Sequence, residues 1–173
     1  EEETAPALAP RLVEAGAQMI TVHGRFRDQY YAGQADWEAI GRVSRSLTET
    51  GLRDRVFLVG NGDIENPDEA RRLAKEAGVD GVAIGRAAMG NPWIFRLFNS
   101  LSPSAEPTDA DKKATSYRHA SMLCEFLGEA RAMLEFRKTL ARYSQNRPNA
   151  KSLRQASNQI LKLADVETWL ALF

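Results

Sequence analysis

The chain has 173 residues, 43% of them hydrophobic and 27% charged, with basic and acidic side chains in equal number. That length buries a substantial core, and that composition is an ordinary soluble one, which excludes disordered, collagen-like and fibrous classes. No apolar run approaches the roughly 20 residues of a membrane span, the start EEET is unlike a signal peptide, and the single cysteine, Cys124, excludes an internal disulfide and a multi-cysteine metal site, so a reducing, cytoplasmic setting is expected.

In chain order, APALAPRLVEAG (5–16) predicts a helix closed by Gly16, and QMITVHG (18–24) a buried strand ending at His23 and Gly24. A polar loop, RFRDQYYAGQAD (25–36), leads into WEAIGRVSRSL (37–47), whose apolar positions recur at helical spacing. RVFLVGNG (55–62) predicts a second strand. Asn66 then offers a capping side chain, Pro67 a preset φ in the first turn, and Asp68 and Glu69 negative charge near the positive end of the helix dipole. The helix PDEARRLAKEAG (67–78) closes at Gly78, VDGVAIG (79–85) predicts a third strand, and RAAMGNPWIFRLF (86–98) follows it.

Apolar strands alternating with helices predict a parallel sheet covered on both faces. Three βα units fall short of the roughly 250 residues of a closed eight-unit barrel. Sheet edges are therefore expected to be open, with pairing between copies, as a homo-oligomer or a strand-swapped assembly, one way to close them. SPSAEPTD (102–109) reads as a linker. Beyond it DKKATSYRHASMLCEFLG (111–128), EARAMLEFRKTLARYS (129–144), AKSLRQASNQILKLA (150–164) and VETWLALF (166–173) predict helices, NRPN (146–149) separating the second from the third. The expected organisation is an α/β domain over 1–101, the linker, and an all-α domain over 110–173.

Two loops carry chemistry. GNGDI (60–64) follows a strand, and glycines there let an anion approach backbone N–H groups closely. GRAAMGNP (85–92) repeats the arrangement one strand later, where Gly85 and Arg86 open a short helical turn and Arg86 can fork onto phosphate oxygens. The plainer reading, glycines that only make tight turns, fits one such loop better than two in succession. His23 ends the first strand on the same side, either as a ligand donor or as a strand-end cap. Arg25 and Arg27, with Tyr30 and Tyr31, mix cations with stackable rings, as a nucleic-acid substrate would need, or form a solvated loop.

The zero net charge hides a segregation. Seven basic residues (Arg131, Arg137, Lys138, Arg142, Arg147, Lys151, Arg154) face one acidic residue, Glu135, which leaves +6 there and −6 elsewhere. Met133, Phe136, Leu140 and Tyr143 form the expected buried stripe of EARAMLEFRKTLARYS, so Arg131, Lys138 and Arg142, with Arg137 nearer its edge, are expected to face solvent, as a phosphate-backbone contact or a merely solvated face. Cys124 lies on an apolar helix face and is expected to be a small buried hydrophobe. No Ser-His-Asp set and no zinc spacing is present.

ITVHGRFRDQYYAGQADW, VGNGDI and GVAIGRAAMGNPWIF, in that order and spacing, resemble the bacterial-type tRNA-dihydrouridine synthases, and EFRKTLARYS resembles that family's basic helical domain. The resemblance spans nearly the whole chain. It implies the C-terminal part of a TIM (β/α)8 barrel followed by a tRNA-binding helical domain, with FMN as cofactor, NADPH as reductant and reduction of uridine to 5,6-dihydrouridine in tRNA as the activity. It implies further that Asn61, Gly62, Asp63, Gly85 and Arg86 bind the flavin phosphate. His23 is expected near the flavin, Arg25 and Arg27 near the substrate entrance, and Arg137, Lys138 and Arg142 on tRNA. Phe26 stands where threonine is common in the family. The family's catalytic cysteine belongs to the barrel's first half, so no catalytic residue is expected here and the chain alone is expected to be inactive, with a non-catalytic RNA-binding fragment as the alternative.

Overall fold

The computed structural model describes residues 4–30, 32–99 and 106–173. It forms two compact units, Glu1–Ala87 and Ala88–Phe173. In the first, helix α1 (Ala5–Glu14) is followed by strand β1 (Met19–His23), helix α2 (Trp37–Glu49), strand β2 (Phe57–Asn61), helix α3 (Pro67–Ala77) and strand β3 (Gly81–Ala83). The strands are parallel in the order β1-β2-β3. The unit is therefore α/β, with the three parallel strands the periodicity predicts, two of them followed by a helix within the unit.

Local chemistry explains the helix ends. The Asn66 side chain accepts from the Glu69 N–H at 2.9 Å, Pro67 sits at the first turn, and Gly78 closes α3 at φ 67°, a left-handed conformation that glycine adopts without steric cost. Pro10 lies inside α1 and has no N–H to give the Pro6 carbonyl. The Ser46 hydroxyl of α2 supplies that bond instead, at 2.7 Å, and ties the two helices together.

Strand alternation then decides burial. Val22 and Leu58 pack with Ile40, Val43 and Leu47 of α2 and Val13 of α1 in one hydrophobic cluster. On the opposite face Met19 and Phe57 are 64% and 51% exposed, and Thr21 and His23 are exposed too. The expectation of a sheet covered on both faces is corrected here: helices cover one face, and on the other Met19 and Phe57 stay open while Val59 is buried. The third strand is shorter than predicted, because Ile84 and Gly85 leave the ladder.

Residues 88–99 pack with the second unit, ahead of the expected linker, most of which lies outside the described residues. Gly90, at φ 75°, sits so close to the end of the basic helix that a Cβ there would come within 2.6 Å of the Arg142 carbonyl carbon, and Trp93 meets Tyr143 edge to face. Helix α4 (Ile94–Asn99) is followed by α5 (Asp109–Leu127), α6 (Glu129–Tyr143), α7 (Ala150–Ser157) and α8 (Leu163–Ala171). Thr108 and Asp111 cap α5 reciprocally. The core is Met133, Phe136 and Leu140 of α6 with Leu153, Ile160, Val166 and Trp169. Among the described residues no helix is long and apolar enough to cross a membrane.

The helix expected over 150–164 ends at Ser157, and the terminal helix expected from Val166 starts at Leu163. The chain turns at Asn158 and Gln159, Ile160 drops into the core at 2% exposure, and the Asp165 carboxylate accepts the N–H groups of Leu161 and Lys162 to start α8. Burying Ile160 outweighs continuing the helix.

Phe136 is fully buried at the centre of this core. Phe136→Ala should cost about 3–5 kcal/mol, seen as a lower urea midpoint with little change in slope.

Candidate functional site

Parallel register brings the three strand tips level: His23 pairs with Asn61, and Asn61 with Ala83. Beyond these tips the chain leaves a cleft of about 500 Å³, lined among others by His23, Arg25, Arg27, Asn61, Asp63 and Arg86. Clefts at the carboxyl ends of parallel strands are the usual ligand sites of α/β folds, and this volume suits a cofactor-sized molecule.

Every cofactor residue expected from the sequence lies in the first unit and lines this cleft: His23, Asn61, Gly62, Asp63, Gly85 and Arg86. Their parts differ. The Asn61 side-chain amide donates to the Ala83 carbonyl at 2.8 Å, and the Asn61 carbonyl accepts from the Gly24 N–H at 2.9 Å. Asn61 is thus a brace across three segments. The glycines on either side of it are demanded by close packing. A Cβ on Gly60 would lie 2.5 Å from the Trp37 ring, and one on Gly62 would lie 2.3 Å from the Ala35 Cβ. The Trp37 indole N–H also donates to the Gly62 carbonyl at 2.9 Å. Around Gly85, by contrast, a Cβ would meet nothing within 4 Å. The turn after it, Arg86–Ala88, is a single 3-10 turn, too short to add a helix dipole of any size. What faces an anion here is Arg86 beside open backbone.

Asp63 organises the cleft. Its backbone is left-handed, at φ 49°, which an aspartate tolerates better than most residues. Arg25 donates from both terminal nitrogens to the two carboxylate oxygens, at 2.9 and 2.5 Å, and also to the Gly33 carbonyl at 2.8 Å. The Ala35 N–H donates to the same carboxylate at 2.9 Å, and Arg86 at 2.6 Å. The Arg25 hydrogen bonds, aided by Ala35 and by the charges of Arg25 and Arg86, hold the Asp63 carboxyl below the usual carboxylate range against the opposing effect of burial. Arg25, expected at the substrate entrance, is spent on this clasp, its side chain 12% exposed. Arg27 and Tyr30 remain exposed on the rim, and Tyr31 lies outside the described residues.

The clasp joins residues 38 apart in sequence, and no local pattern announced it. The sequence pattern likewise marks Trp37 only as a helix residue. The signal that could have found both was the glycine pair itself, since glycines in a strand often mark a side chain or backbone pressed against them.

The second unit holds the basic stretch. Arg131, Lys138 and Arg142 are exposed on α6, and at 100° per residue their spacing confines them to a stripe about 40° wide. Glu135 lies about 20° beyond its edge. Arg137 is corrected from solvent-facing to structural: its Nε and a terminal nitrogen both donate to the Ile160 carbonyl, at 3.0 and 2.9 Å. Arg147 pairs with Asp109 and stacks on Phe173. Cys124 is half-buried against the helical core, and burial pushes its thiol up, with Glu129 and Glu125 adding to the effect. No metal-ligating cluster occurs among the described residues.

Two outcomes follow from the clasp and its glycines. A depressed carboxyl pKa contributes stability present above the unfolded value near 4 and lost as pH falls below it through the folded value. Protection of the Ala35 amide, its exchange rate relative to an unstructured amide at the same pH, should therefore fall on acidification below about pH 4. Gly60→Ala should destabilise the first unit by about 1–3 kcal/mol, with a change in Trp37 fluorescence reporting the displaced ring.

The family described as "Dihydrouridine synthase (Dus)" matches residues 1–171. A probable tRNA-dihydrouridine synthase of Rhizobium leguminosarum bv. phaseoli is 37% identical over 139 residues, covering 80% of this chain and 41% of the relative. A probable tRNA-dihydrouridine synthase of Rickettsia conorii is 33% identical over 160 residues, covering 90% and 46%. The tRNA-dihydrouridine synthase B of Xanthomonas axonopodis pv. citri is 31% identical over 163 residues, covering 92% and 47%. The chain spans less than half the length of these relatives. With a family match over almost every residue, the chain belongs to the dihydrouridine synthase family.

Proposed function

We propose that this chain supplies the phosphate-binding cleft and an RNA-facing helical unit of an FMN-dependent enzyme that reduces uridine to 5,6-dihydrouridine in tRNA, with NADPH as the electron source. The observation that carries the reading is Arg86 standing beside the open backbone of Gly85 at the carboxyl end of the sheet. In this reading the three parallel strands are the last part of a (β/α)8 barrel, where phosphate sites recur in the loops after the final strands.

The donor set suits FMN. Three guanidinium groups against two carboxylates line the cleft, which leaves it cationic. Arg86 and the Gly85 and Arg86 amides would hold the phosphate, and His23, exposed at the tip of β1, would donate to the ring system. When bound, the flavin supplies the hydride-carrying ring; the chain's own side chains bind, orient and exclude water. Arg27 and Tyr30 on the rim offer a cation and a ring to a nucleotide. The stripe of Arg131, Lys138 and Arg142 suits a phosphate backbone, whereas Arg137 acts by holding Ile160 in place.

A second reading, a non-catalytic RNA-binding module, is favoured by the same stripe considered alone. The two separate on flavin. If the cleft is a flavin site, the chain binds FMN more tightly than riboflavin, which lacks the phosphate, and Arg86→Gln reduces that preference by about tenfold, the worth of one charge-assisted contact. Equal affinity for the two flavins in both proteins would leave only the RNA-binding reading.

For RNA, replacing Arg131, Lys138 and Arg142 together by Gln should flatten the salt dependence of tRNA binding by about 2–3 in log–log slope. Arg137→Gln should instead lower thermal stability and leave the slope unchanged. Cys124 packs against the helical core, where burial raises its pKa. The purified 173-residue chain is expected to form no dihydrouridine in a tRNA assay with FMN and NADPH.

A further inference from the structure

Four donors converge on the Asp63 carboxylate, and they are not equivalent. One oxygen accepts from Arg25 and from the Ala35 N–H; the other accepts from Arg25 and from Arg86. Were Arg86 to turn away, each oxygen would still hold a bond from Arg25. Were Arg25 removed, the Gly33 carbonyl would lose its donor as well, and of the loop's bonds to Asp63 only that of Ala35 would remain. Exposure divides the two arginines in the same way: 12% for the Arg25 side chain against 47% for Arg86. A two-pronged, partly buried pair is costly to break, while the half-exposed bond from Arg86 to one Asp63 oxygen exchanges at less cost.

We propose that Asp63 is the positioning residue of the anion site, holding Arg25 as a fixed lock on the loop from Gly24 to Asp36 and handing Arg86 over to an incoming phosphate monoester. The inference rests on reading the cleft as a phosphate site. Before the ligand arrives, Asp63 offsets the charge of Arg86. A ligand must therefore compete with a carboxylate for that guanidinium. A monoester dianion, with two charges and three free oxygens, can do so; a phosphodiester of an RNA backbone, with one charge, competes on no better than equal terms. Asp63 thus makes the cleft selective for terminal phosphates in a protein whose substrate reading is a polyanion of diesters.

The test uses the full chain with two probes, inorganic phosphate near pH 8, where it is mainly a dianion, and dimethyl phosphate, a monoanion. Hydrogen exchange at Ala35 and Asp36 reads the lock, and arginine Nε–H NMR signals read the hand-over. Asp63→Asn should speed exchange at Ala35 about tenfold or more, while Arg86→Gln leaves it unchanged. In the unaltered chain, inorganic phosphate should shift the Arg86 signal and not that of Arg25, and dimethyl phosphate at equal concentration should shift neither. Asp63→Asn, if it folds, should let dimethyl phosphate shift the Arg86 signal.

Arg86 is exposed, so Arg86→Gln keeps the lock testable even if the aspartate variant unfolds. Loss of Ala35 protection in Arg86→Gln equal to that in Asp63→Asn, or phosphate moving Arg25 together with Arg86, would overturn the proposal. Phosphate that shifts the Gly85 amide but not Arg86 refutes the hand-over and leaves the phosphate reading standing. Phosphate that shifts neither removes the phosphate reading and the hand-over together.

Discussion

Two arginines and one backbone amide share the carboxylate of Asp63, and through it the loop from Gly24 to Asp36 is fixed against the tip of β2. The rest of the cleft depends on that contact. Release the loop, and Ala35 and Trp37 no longer press on Gly62 and Gly60, and the Gly24 amide no longer meets the Asn61 carbonyl. A partly buried charge cluster is costly to assemble, because each ion must give up water. Here bidentate geometry and a backbone donor fill the lone pairs, which lets Asp63 keep its charge despite burial.

The glycines of GNGD change meaning in this setting. Small residues after a strand invite the view that a ligand needs bare backbone. At Gly60 and Gly62 it is the protein's own tryptophan and alanine that occupy the space a Cβ would take. Only beside Gly85 is there room left over. The phosphate argument therefore narrows to one open turn and one guanidinium, and it gains precision: the dipole of a 3-10 turn adds little, so charge and hydrogen bonds at Arg86 must supply the binding.

The helical unit shows the same sorting among its cations. Arg137 and Arg147 carry formal charge but act as architecture, one on the Ile160 carbonyl and one between Asp109 and Phe173. Arg131, Lys138 and Arg142 keep to one exposed stripe of α6, where charge can act on a partner. Counting basic residues in a segment overstates the surface field, because guanidinium groups also make good tethers for buried carbonyls.

Much of this was legible before any coordinates. Strands MITVH, FLVGN and GVA, the capped helix from Pro67 to Gly78 and the apolar stripe of α6 follow from periodicity and from local capping chemistry, which act within a few residues. The loops that would gather at the sheet's carboxyl end followed from the same pattern, since parallel strands share a direction. Contacts between distant segments could not be read this way. That Arg25 grips an aspartate 38 residues away, that Trp37 rather than a ligand lies over Gly60, that Ile160 breaks a helix to reach the core, and that one sheet face stays partly open are settled by packing and desolvation. Those forces depend on what folding brings together, and a linear pattern does not encode which of several suitable partners a charged or small residue will meet.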